Sequence, residues 1–166
     1  LCERRSIRKF KSDQVPMETL EEILKCGTYA PNGKSKQSAR IVVVRDRDTI
    51  EEIAKINGSF VNKPGLNPFY EAPTLLIVFA DKNVSTYVQD GSAVIMNMLN
   101  AAFSLGVDSC WIHRAKETFE TDFGKKLMQK WGLDENYEGI GNIVLGYRDC
   151  PLPPAAPRKE NYIIFD

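Results

Sequence analysis

Residues 73–80 read PTLLIVFA, the longest apolar run in the 166-residue chain. A run of this length is far short of the roughly 20 apolar residues that a membrane-spanning helix needs. A short, continuous apolar run that follows a proline is typical of a buried β-strand. We therefore place a buried strand over residues 74–80, near the middle of the chain.

The segments on either side of this strand alternate between helical and extended patterns. Upstream, the sequence predicts a helix over 15–31, a strand over 40–46, and a short helix over 49–56 with Asp48 as N-cap and Glu51 completing a capping box. Downstream, it predicts a helix over 87–105, a strand over 109–113, an amphipathic helix over 119–131 and a strand over 141–147. We expect a single domain covering residues 1–166.

Two segments lack a regular pattern. Residues 57–73 contain Gly58, Pro64, Gly65, Pro68 and Pro73, which predicts a long loop of the kind that is either functional or disordered. Residues 150–166, CPLPPAAPRKENYIIFD, carry four prolines and cannot form a regular helix. We expect this tail to lie across another surface, either of its own domain or of a partner.

Helices that alternate with strands are typical of a doubly wound parallel sheet. That fold binds nucleotides at a glycine-rich turn between a strand and a helix. The nearest candidate here, GIGNIVLG at 139–146, runs through a predicted strand and does not open a helix. A Rossmann dinucleotide site is therefore disfavoured.

Composition excludes several function classes. The 22 Lys and Arg residues balance the 22 Asp and Glu residues, whereas nucleic-acid binding needs a broad basic surface. A single histidine argues against metal catalysis, and we predict no metal site. The four cysteines are scattered without a C-x-x-C pair, so we expect reduced thiols in a cytoplasmic protein and no membrane association.

Positive charge is concentrated at the beginning of the chain, where five of the eight residues from Arg4 to Lys11 are cationic. By charge alone, a solvated basic face is favoured over a specific anion site. In an extended segment, however, Arg4, Ser6 and Arg8 point to one side. Two guanidinium groups that flank a hydroxyl form a compact set of donors suited to one phosphate.

Five stretches, in order along the chain, together resemble the FMN-dependent nitroreductase family. They are RRSIRKF at 4–10, APNGKSKQSARIVVV at 30–44, FYEAPTLLIVFAD at 69–81, SLGVDSCWIHRAKE at 104–117 and VLGYRDCPLPPAAPRK at 144–159. The resemblance implies an α+β fold. It is a nitroreductase-like three-layer α/β/α sandwich with a central mixed, mainly antiparallel sheet, and its C-terminal tail is exchanged in a homodimer.

The resemblance also implies which residues bind FMN. They are Arg4, Arg5, Ser6, Arg8, Pro31, Asn32, Gly33, Ser35, Gln37, Asn67, Cys110, Trp111, Ile112, His113, Arg158 and Lys159. By analogy with the family, residues 4–8 hold the phosphate and ribityl chain, and residues 158–159 complete the phosphate site. Residues 31–33 lie against the flavin ring from the other subunit, Asn67 matches a ring-binding residue, and residues 110–113 pass the reactive edge of the ring.

This chain departs from the family pattern in the turn that follows Pro31. Ser35 stands where the family shows asparagine, and Ser38-Ala39 follow Gln37 where the family shows Pro-Trp. The chain is also short for the family, which implies that a helical excursion over the active site is absent. We expect a more open and less selective pocket.

The implied activity is reduction of nitroaromatic, quinone or related acceptors by NAD(P)H in ping-pong turnover. The flavin carries the hydride, so no catalytic side chain is required, in keeping with a sequence that has no recognisable triad or carboxylate pair. Backbone N–H groups around residues 112–114 are candidate donors to flavin N5, and Arg8 is a candidate cation near N1 and O2. The alternative is a non-catalytic flavin-binding or storage protein of the same fold.

Four of these residues also have simpler interpretations. His113 is interpreted as a structural histidine and Trp111 as a core residue. Cys110 is interpreted as a small apolar filler, because no second cysteine adjoins it. Gly33 is expected to permit a positive φ in its turn.

Overall fold

An antiparallel β-sheet forms the middle layer of the protein. The computed structural model describes residues 1–61, 63 and 65–166. Its strands are β1 (Ala39–Val44), β2 (Thr74–Asp81), β3 (Asp108–Ile112) and β4 (Tyr137–Gly146), and they lie in the sheet in the order β1-β2-β4-β3. Its helices are α1 (Met17–Thr28), α2 (Arg47–Ser59), α3 (Tyr87–Ser104), α4 (Ala115–Glu120) and α5 (Asp122–Lys130), with a single 3₁₀ turn at Gly33–Ser35.

The apolar run PTLLIVFA supplies β2, which lies between β1 and β4. Residues 75–80 are fully buried, which confirms the predicted buried strand. Leu76 and Val78 face one layer of helices, and Leu75, Ile77 and Phe79 face the other. The run is continuous and not alternating because both faces of this strand are covered.

The two helical layers have separate apolar cores. Helices α1 and α3 cover one face of the sheet through residues such as Leu20, Ile23 and Met98. Helices α2, α4 and α5 cover the other face, where the rings of Phe79 and Phe119 meet edge to face with centroids 4.9 Å apart. Each fully buried side chain of this size stabilises the fold by about 1.5–3 kcal/mol. The predicted three-layer sandwich is confirmed.

All strand pairs of this sheet are antiparallel, which excludes the doubly wound alternative. Within the described residues, parallel pairing is limited to an isolated bridge between Ser6 and Ser109. The predicted mainly antiparallel sheet is therefore confirmed. Within that same part of the chain, no helix is long and apolar enough to cross a membrane. All four cysteines are free.

The predicted start and end of the second helix are wrong. Helix α2 begins at Arg47, and Asp46, not Asp48, caps it by accepting a 2.9 Å hydrogen bond from the Thr49 N–H. The helix then continues to Ser59, three residues into the predicted loop. The part of that loop at residues 62 and 64 lies outside the described residues.

The helix predicted over 119–131 is two helices. The chain is extended at Thr121, whose hydroxyl caps α5 by accepting a 3.1 Å hydrogen bond from the Gly124 N–H. Helix α4 begins earlier than predicted, at Ala115. The ends of the remaining predicted elements lie within four residues of the observed ones, the largest difference being β4, which begins at Tyr137.

Gly124 allows these two helices to touch, and its replacement by alanine is expected to destabilise the fold. A Cβ at this position would lie 2.5 Å from the Phe119 Cα and would also overlap the Thr118 carbonyl oxygen. Alanine favours a helix by about 1 kcal/mol, but this backbone cannot rotate away, so we expect a net loss of about 1–2 kcal/mol. Urea denaturation measures this change in the free energy of unfolding. Gln129→Ala, at an exposed position of the same helix, should change stability by less than about 0.5 kcal/mol, and an equal loss in both variants would contradict the prediction.

The tail predicted to be irregular contains neither helix nor strand over residues 151–166. Its last apolar residues are strongly exposed, from 70% for Ile163 to 90% for Phe165. Four large apolar side chains in succession, residues 162–165, thus lie in solvent on a single chain.

Candidate functional site

The N-terminal segment lies along β3 and the end of β4. The Ile7 N–H donates a 3.0 Å hydrogen bond to the Ser109 carbonyl, and the Lys11 N–H donates one of 2.8 Å to the Tyr147 carbonyl. Ile7 is fully buried and anchors the segment in the core. The strand-like conformation on which the predicted alternation depends is therefore present.

Three N-terminal side chains influence the Cys110 thiol in β3. Burial raises the pKa of this thiol, and the charge of Arg8, the Ser6 hydroxyl and the charge of Arg4 oppose that rise. Arg4, Ser6 and Arg8 therefore lie in the neighbourhood of the same thiol. Cys110 itself is buried and packs in the apolar core, consistent with its interpretation as a small filler.

An unpaired donor in this group suits an anion. The Arg4 Nη1 is buried and has no hydrogen-bond partner among the described residues. A buried donor without an acceptor costs about 1–3 kcal/mol, and more when it is charged. A phosphate group would supply the missing acceptor, so the residues present fit the phosphate of FMN.

Two other cations of the segment have partners elsewhere. The Arg5 Nη1 donates to the carbonyls of Cys2 (2.7 Å) and Arg4 (2.8 Å), although the Arg5 Nε is buried and has no partner among the described residues. Lys9 forms a 2.9 Å ion pair with Asp149. Arg4, Ser6 and Arg8 are the candidate anion-binding set, which we call the phosphate cluster.

The turn formed by residues 31–38, which contains the predicted ring-facing residues, has an unusual backbone. Lys34, Ser35 and Gln37 all have positive φ, near 50°, which costs on the order of 1–3 kcal/mol for each non-glycine residue. The Asn32 side chain closes the turn by accepting a 2.9 Å hydrogen bond from the Gln37 N–H. This conformation persists only if surrounding contacts hold it.

A buried carboxylate on α3 supplies those contacts. Asp90 accepts hydrogen bonds from the Gly33 N–H (2.9 Å) and from the Ser38 hydroxyl (2.8 Å). Burial by itself would raise the pKa of Asp90. Hydrogen bonds from Gly33, Ser38 and Thr86 lower it by a larger amount, so the pKa lies below its usual value. The carboxylate is therefore charged at neutral pH and ties both ends of the turn to α3.

The predicted reason for glycine at position 33, a positive φ, is wrong. Gly33 is not among the residues with positive φ. Its hydrogen atoms face Thr86, and a Cβ would overlap the Thr86 hydroxyl and lie 3.0 Å from the Thr86 Cβ. Glycine is needed here because the turn approaches the start of α3 closely.

Side-chain alternation along β3 overturns two further interpretations. Cys110 and Ile112 point into the core under α2, α4 and α5, so Trp111 points to the other face of the sheet. There it lies beside Gly141 and is 38% exposed, where a core residue was predicted. The His113 side chain is exposed and takes part in no hydrogen bond among the described residues, so it is not a structural histidine. Residues 110–113 therefore present alternately buried and exposed side chains beside the phosphate cluster.

Buried polar side chains fix the backbone just after β3. Asn57 donates hydrogen bonds to the His113 carbonyl (2.9 Å) and to the Thr118 hydroxyl (3.1 Å), which in turn donates to the Arg114 carbonyl (2.6 Å). Arg114 has a left-handed backbone, with φ 71°. Because the peptide that joins His113 to Arg114 is trans, the Arg114 N–H points away from Asn57. This N–H belongs to the range predicted to supply a donor to the flavin ring.

The remaining predicted residues lie apart from the phosphate cluster. The Arg158 guanidinium donates to the Ala156 carbonyl within the tail, and Lys159 is exposed beside it. The Asn67 side chain accepts a 2.9 Å hydrogen bond from the Phe69 N–H and so closes a local turn. No hydrogen bond among the described residues connects any of these three to the cluster.

Sequence reasoning missed Asp90 and Asn57, although a signal was present for both. Asp90 precedes Val94 and Met98 by four and eight residues, so it lies on the apolar stripe of α3. Asn57 follows Ile50 and Ile53 on the buried face of α2. A polar residue in line with an apolar stripe indicates a buried hydrogen-bond anchor.

A groove of about 400 Å³ lies between α1, β1 and α3. Its apolar wall includes Leu24 and Ile41, and its polar end includes Asn32, Ser38 and Asp90. The turn of residues 31–38 thus borders an open, mainly apolar space. The expectation of a more open and less selective active-site pocket stays a prediction.

The chain matches the model of the Nitroreductase family over residues 1–147. A protein of Archaeoglobus fulgidus, provisionally named an NADH dehydrogenase/NAD(P)H nitroreductase, is 32% identical over 151 residues, which cover 87% of this chain and 80% of the relative. A solved nitroreductase with bound FMN from Bacteroides fragilis superposes with a TM-score of 0.87 at 28% identity, covering 98% of this chain and 95% of that chain. An FMN-dependent nitroreductase from Clostridium difficile gives a TM-score of 0.88 at 26% identity, with the same coverage of both chains.

Proposed function

Because the chain belongs to the nitroreductase family, we propose that it is an FMN-dependent oxidoreductase that uses NAD(P)H to reduce nitroaromatic, quinone or related acceptors. The observation that carries this proposal is the phosphate cluster, in which Arg4 has a buried and unpaired guanidinium nitrogen. This cluster fits the phosphate of FMN, and a bound flavin supplies the hydride chemistry that joins NAD(P)H to the acceptor.

The residues of this chain bind and orient the cofactor. Arg4, Ser6 and Arg8 hold the phosphate, and their positive charge makes the site selective for the phosphorylated flavin. The Arg114 N–H, kept outward by Asn57, is assigned as a donor to the flavin ring. Hydride transfer is the chemistry that the flavin supplies when it is bound. The exposed Trp111 and the open groove leave room for NAD(P)H and the acceptor to enter in turn.

A homodimer completes this site in our proposal. The outer edge of β1 is unpaired within the described residues, and the tail exposes four consecutive large apolar side chains. Burying residues 162–165 on a second copy removes both features from solvent. The same tail would bring Arg158 and Lys159 of each protomer toward the phosphate cluster of the other.

We also propose a cytoplasmic location. Four free thiols, including the exposed Cys2 and Cys26, are compatible with a reducing compartment.

The visible spectrum and an oxidase assay test the proposed function. We expect the purified protein to be yellow, to release FMN on denaturation, and to oxidise NADH or NADPH when menadione or a nitroaromatic compound is added. A protein that binds FMN but shows no acceptor-dependent oxidation would be a flavin-storage protein. A protein that stays colourless after incubation with FMN would contradict the proposal.

A further inference from the structure

The turn of residues 31–38 needs contacts from outside to hold its shape, because three of its non-glycine residues have left-handed backbones. Within the turn, the Asn32 side chain accepts a hydrogen bond from the Gln37 N–H, and the Gly33 carbonyl accepts one from the Lys36 N–H. From outside, the Asp81 N–H of β2 donates to the Ser38 carbonyl, while the Gly33 N–H and the Ser38 hydroxyl both donate to the Asp90 carboxylate. Asp90 is thus a side chain outside the turn that holds both Gly33 and Ser38.

Asp90 is itself held rigidly. It is 3% exposed and lies in the first turn of α3, the helix that packs on the sheet through Val94 and Met98. Each carboxylate oxygen accepts one of the two hydrogen bonds: Oδ1 accepts from the Gly33 N–H, and Oδ2 accepts from the Ser38 hydroxyl. The carboxylate thus fixes residues 33 and 38, near the two ends of the turn, relative to the sheet.

The start of α3 also shapes the turn by close approach. Thr86 occupies the N-cap position of the helix, and its side chain fills the space where a side chain on residue 33 would lie. Gly33 is therefore pressed against α3 from one side and hydrogen-bonded to it from the other. Neither the hydrogen bond to Asp90 nor the close approach to Thr86 is needed simply to connect α1 to β1.

We propose that Asp90 is a positioning residue of the flavin site, which holds the turn of residues 31–38 in the conformation that meets the flavin ring. This inference rests on the proposed function, in which residues 31–33 lie against the ring. Asp90 does not touch the phosphate. Its loss should therefore weaken FMN and riboflavin equally, because the two flavins share the ring and differ only in the phosphate.

Flavin titration of the apoprotein tests this role without any turnover. Asp90→Ala leaves the Gly33 N–H and the Ser38 hydroxyl without acceptors, and we expect it to lower the affinity for FMN and for riboflavin alike by about ten-fold. Asp90→Asn keeps one acceptor oxygen for the Gly33 N–H and should recover most of the affinity. Ser38→Ala removes one of the two hydrogen bonds and should fall between the wild type and Asp90→Ala.

A matched control separates positioning from general stability. Asp46 also accepts hydrogen bonds from a backbone N–H and a hydroxyl, both of Thr49, but it caps α2 on the opposite side of the sheet. Asp46→Ala should bind both flavins as the wild type does, at a temperature well below its unfolding midpoint. If Asp90→Ala does not fold, the flavin affinities of Asp90→Asn and Ser38→Ala, each compared with that of the wild type, decide the question.

The outcomes distinguish this inference from the proposed function. A wild type that binds neither flavin removes the proposed function itself. A wild type that binds both, together with folded Asp90 variants of unchanged affinity, overturns only the role of Asp90. Loss of FMN affinity alone, or an equal loss in Asp46→Ala, overturns it as well. An equal loss of both flavins in Asp90→Ala with recovery in Asp90→Asn supports it.

Discussion

Arg4→Ala is expected to lower the affinity for FMN by about ten- to a hundred-fold and to leave the affinity for riboflavin nearly unchanged. The Arg4 Nη1 is buried and has no partner among the described residues, so it is available for a phosphate oxygen. A hydrogen bond to a charged group contributes about 1.5–3 kcal/mol, which corresponds to this range of affinity. Fluorescence titration of the apoprotein with both flavins measures the two affinities directly.

A second cation of the same segment provides the control. Lys9 is exposed and paired with Asp149, so Lys9→Ala should leave both flavin affinities close to those of the wild type. Arg158→Ala should resemble Arg4→Ala if the tail completes the phosphate site. Equal losses of FMN and riboflavin in Arg4→Ala would show that this arginine supports the fold and does not bind the phosphate.

Removal of residues 160–166 is expected to convert a dimer into a monomer and to lower its flavin content severely. This truncation deletes the exposed apolar residues Tyr162, Ile163, Ile164 and Phe165, whose burial on a second copy is the proposed source of dimer stability. Light scattering after size-exclusion chromatography gives the mass of the particle, and the absorbance of the same peak gives its flavin content.

The full-length variant with Arg158→Ala and Lys159→Ala separates the two roles of the tail. It keeps the apolar residues, so it should remain dimeric while it loses affinity for FMN more than for riboflavin. A truncated protein that stays dimeric and fully loaded with flavin would show that the tail is dispensable for both roles.

The elements that could be predicted from the sequence are those in which one periodic pattern dominates. The strand at PTLLIVFA and the helix α3 follow from composition and spacing, because burial on the sheet decides both. The division between α4 and α5 could not be predicted, because Phe119, Phe123 and Leu127 keep helical spacing across the break. The break depends on the Thr121 cap and on the close approach at Gly124, which are tertiary features.

The candidate site likewise has a part that the local sequence predicts and a part that depends on tertiary contacts. The alternation of Arg4, Ser6 and Arg8 was visible locally, but their position around Cys110 depends on the bridge between Ser6 and Ser109, more than 100 residues apart. The anchoring roles of Asp90 and Asn57 depend on backbone groups of distant segments. No local pattern specifies such partners, although the polar residue in an apolar stripe marks the position.

The N-terminal segment on β3 also determines how this sheet can aggregate. A sheet of order β1-β2-β4-β3 has two outer edges, and an uncovered edge can template pairing with other molecules. The outer edge at β3 is covered by the N-terminal segment, through the Ser6–Ser109 bridge and the hydrogen bond from the Ile7 N–H to the Ser109 carbonyl. Only the β1 edge is left for pairing within the described part of the chain. Edge-to-edge association can therefore stop at a pair and cannot propagate into a filament, so the segment that carries Arg4, Ser6 and Arg8 also protects against polymerisation.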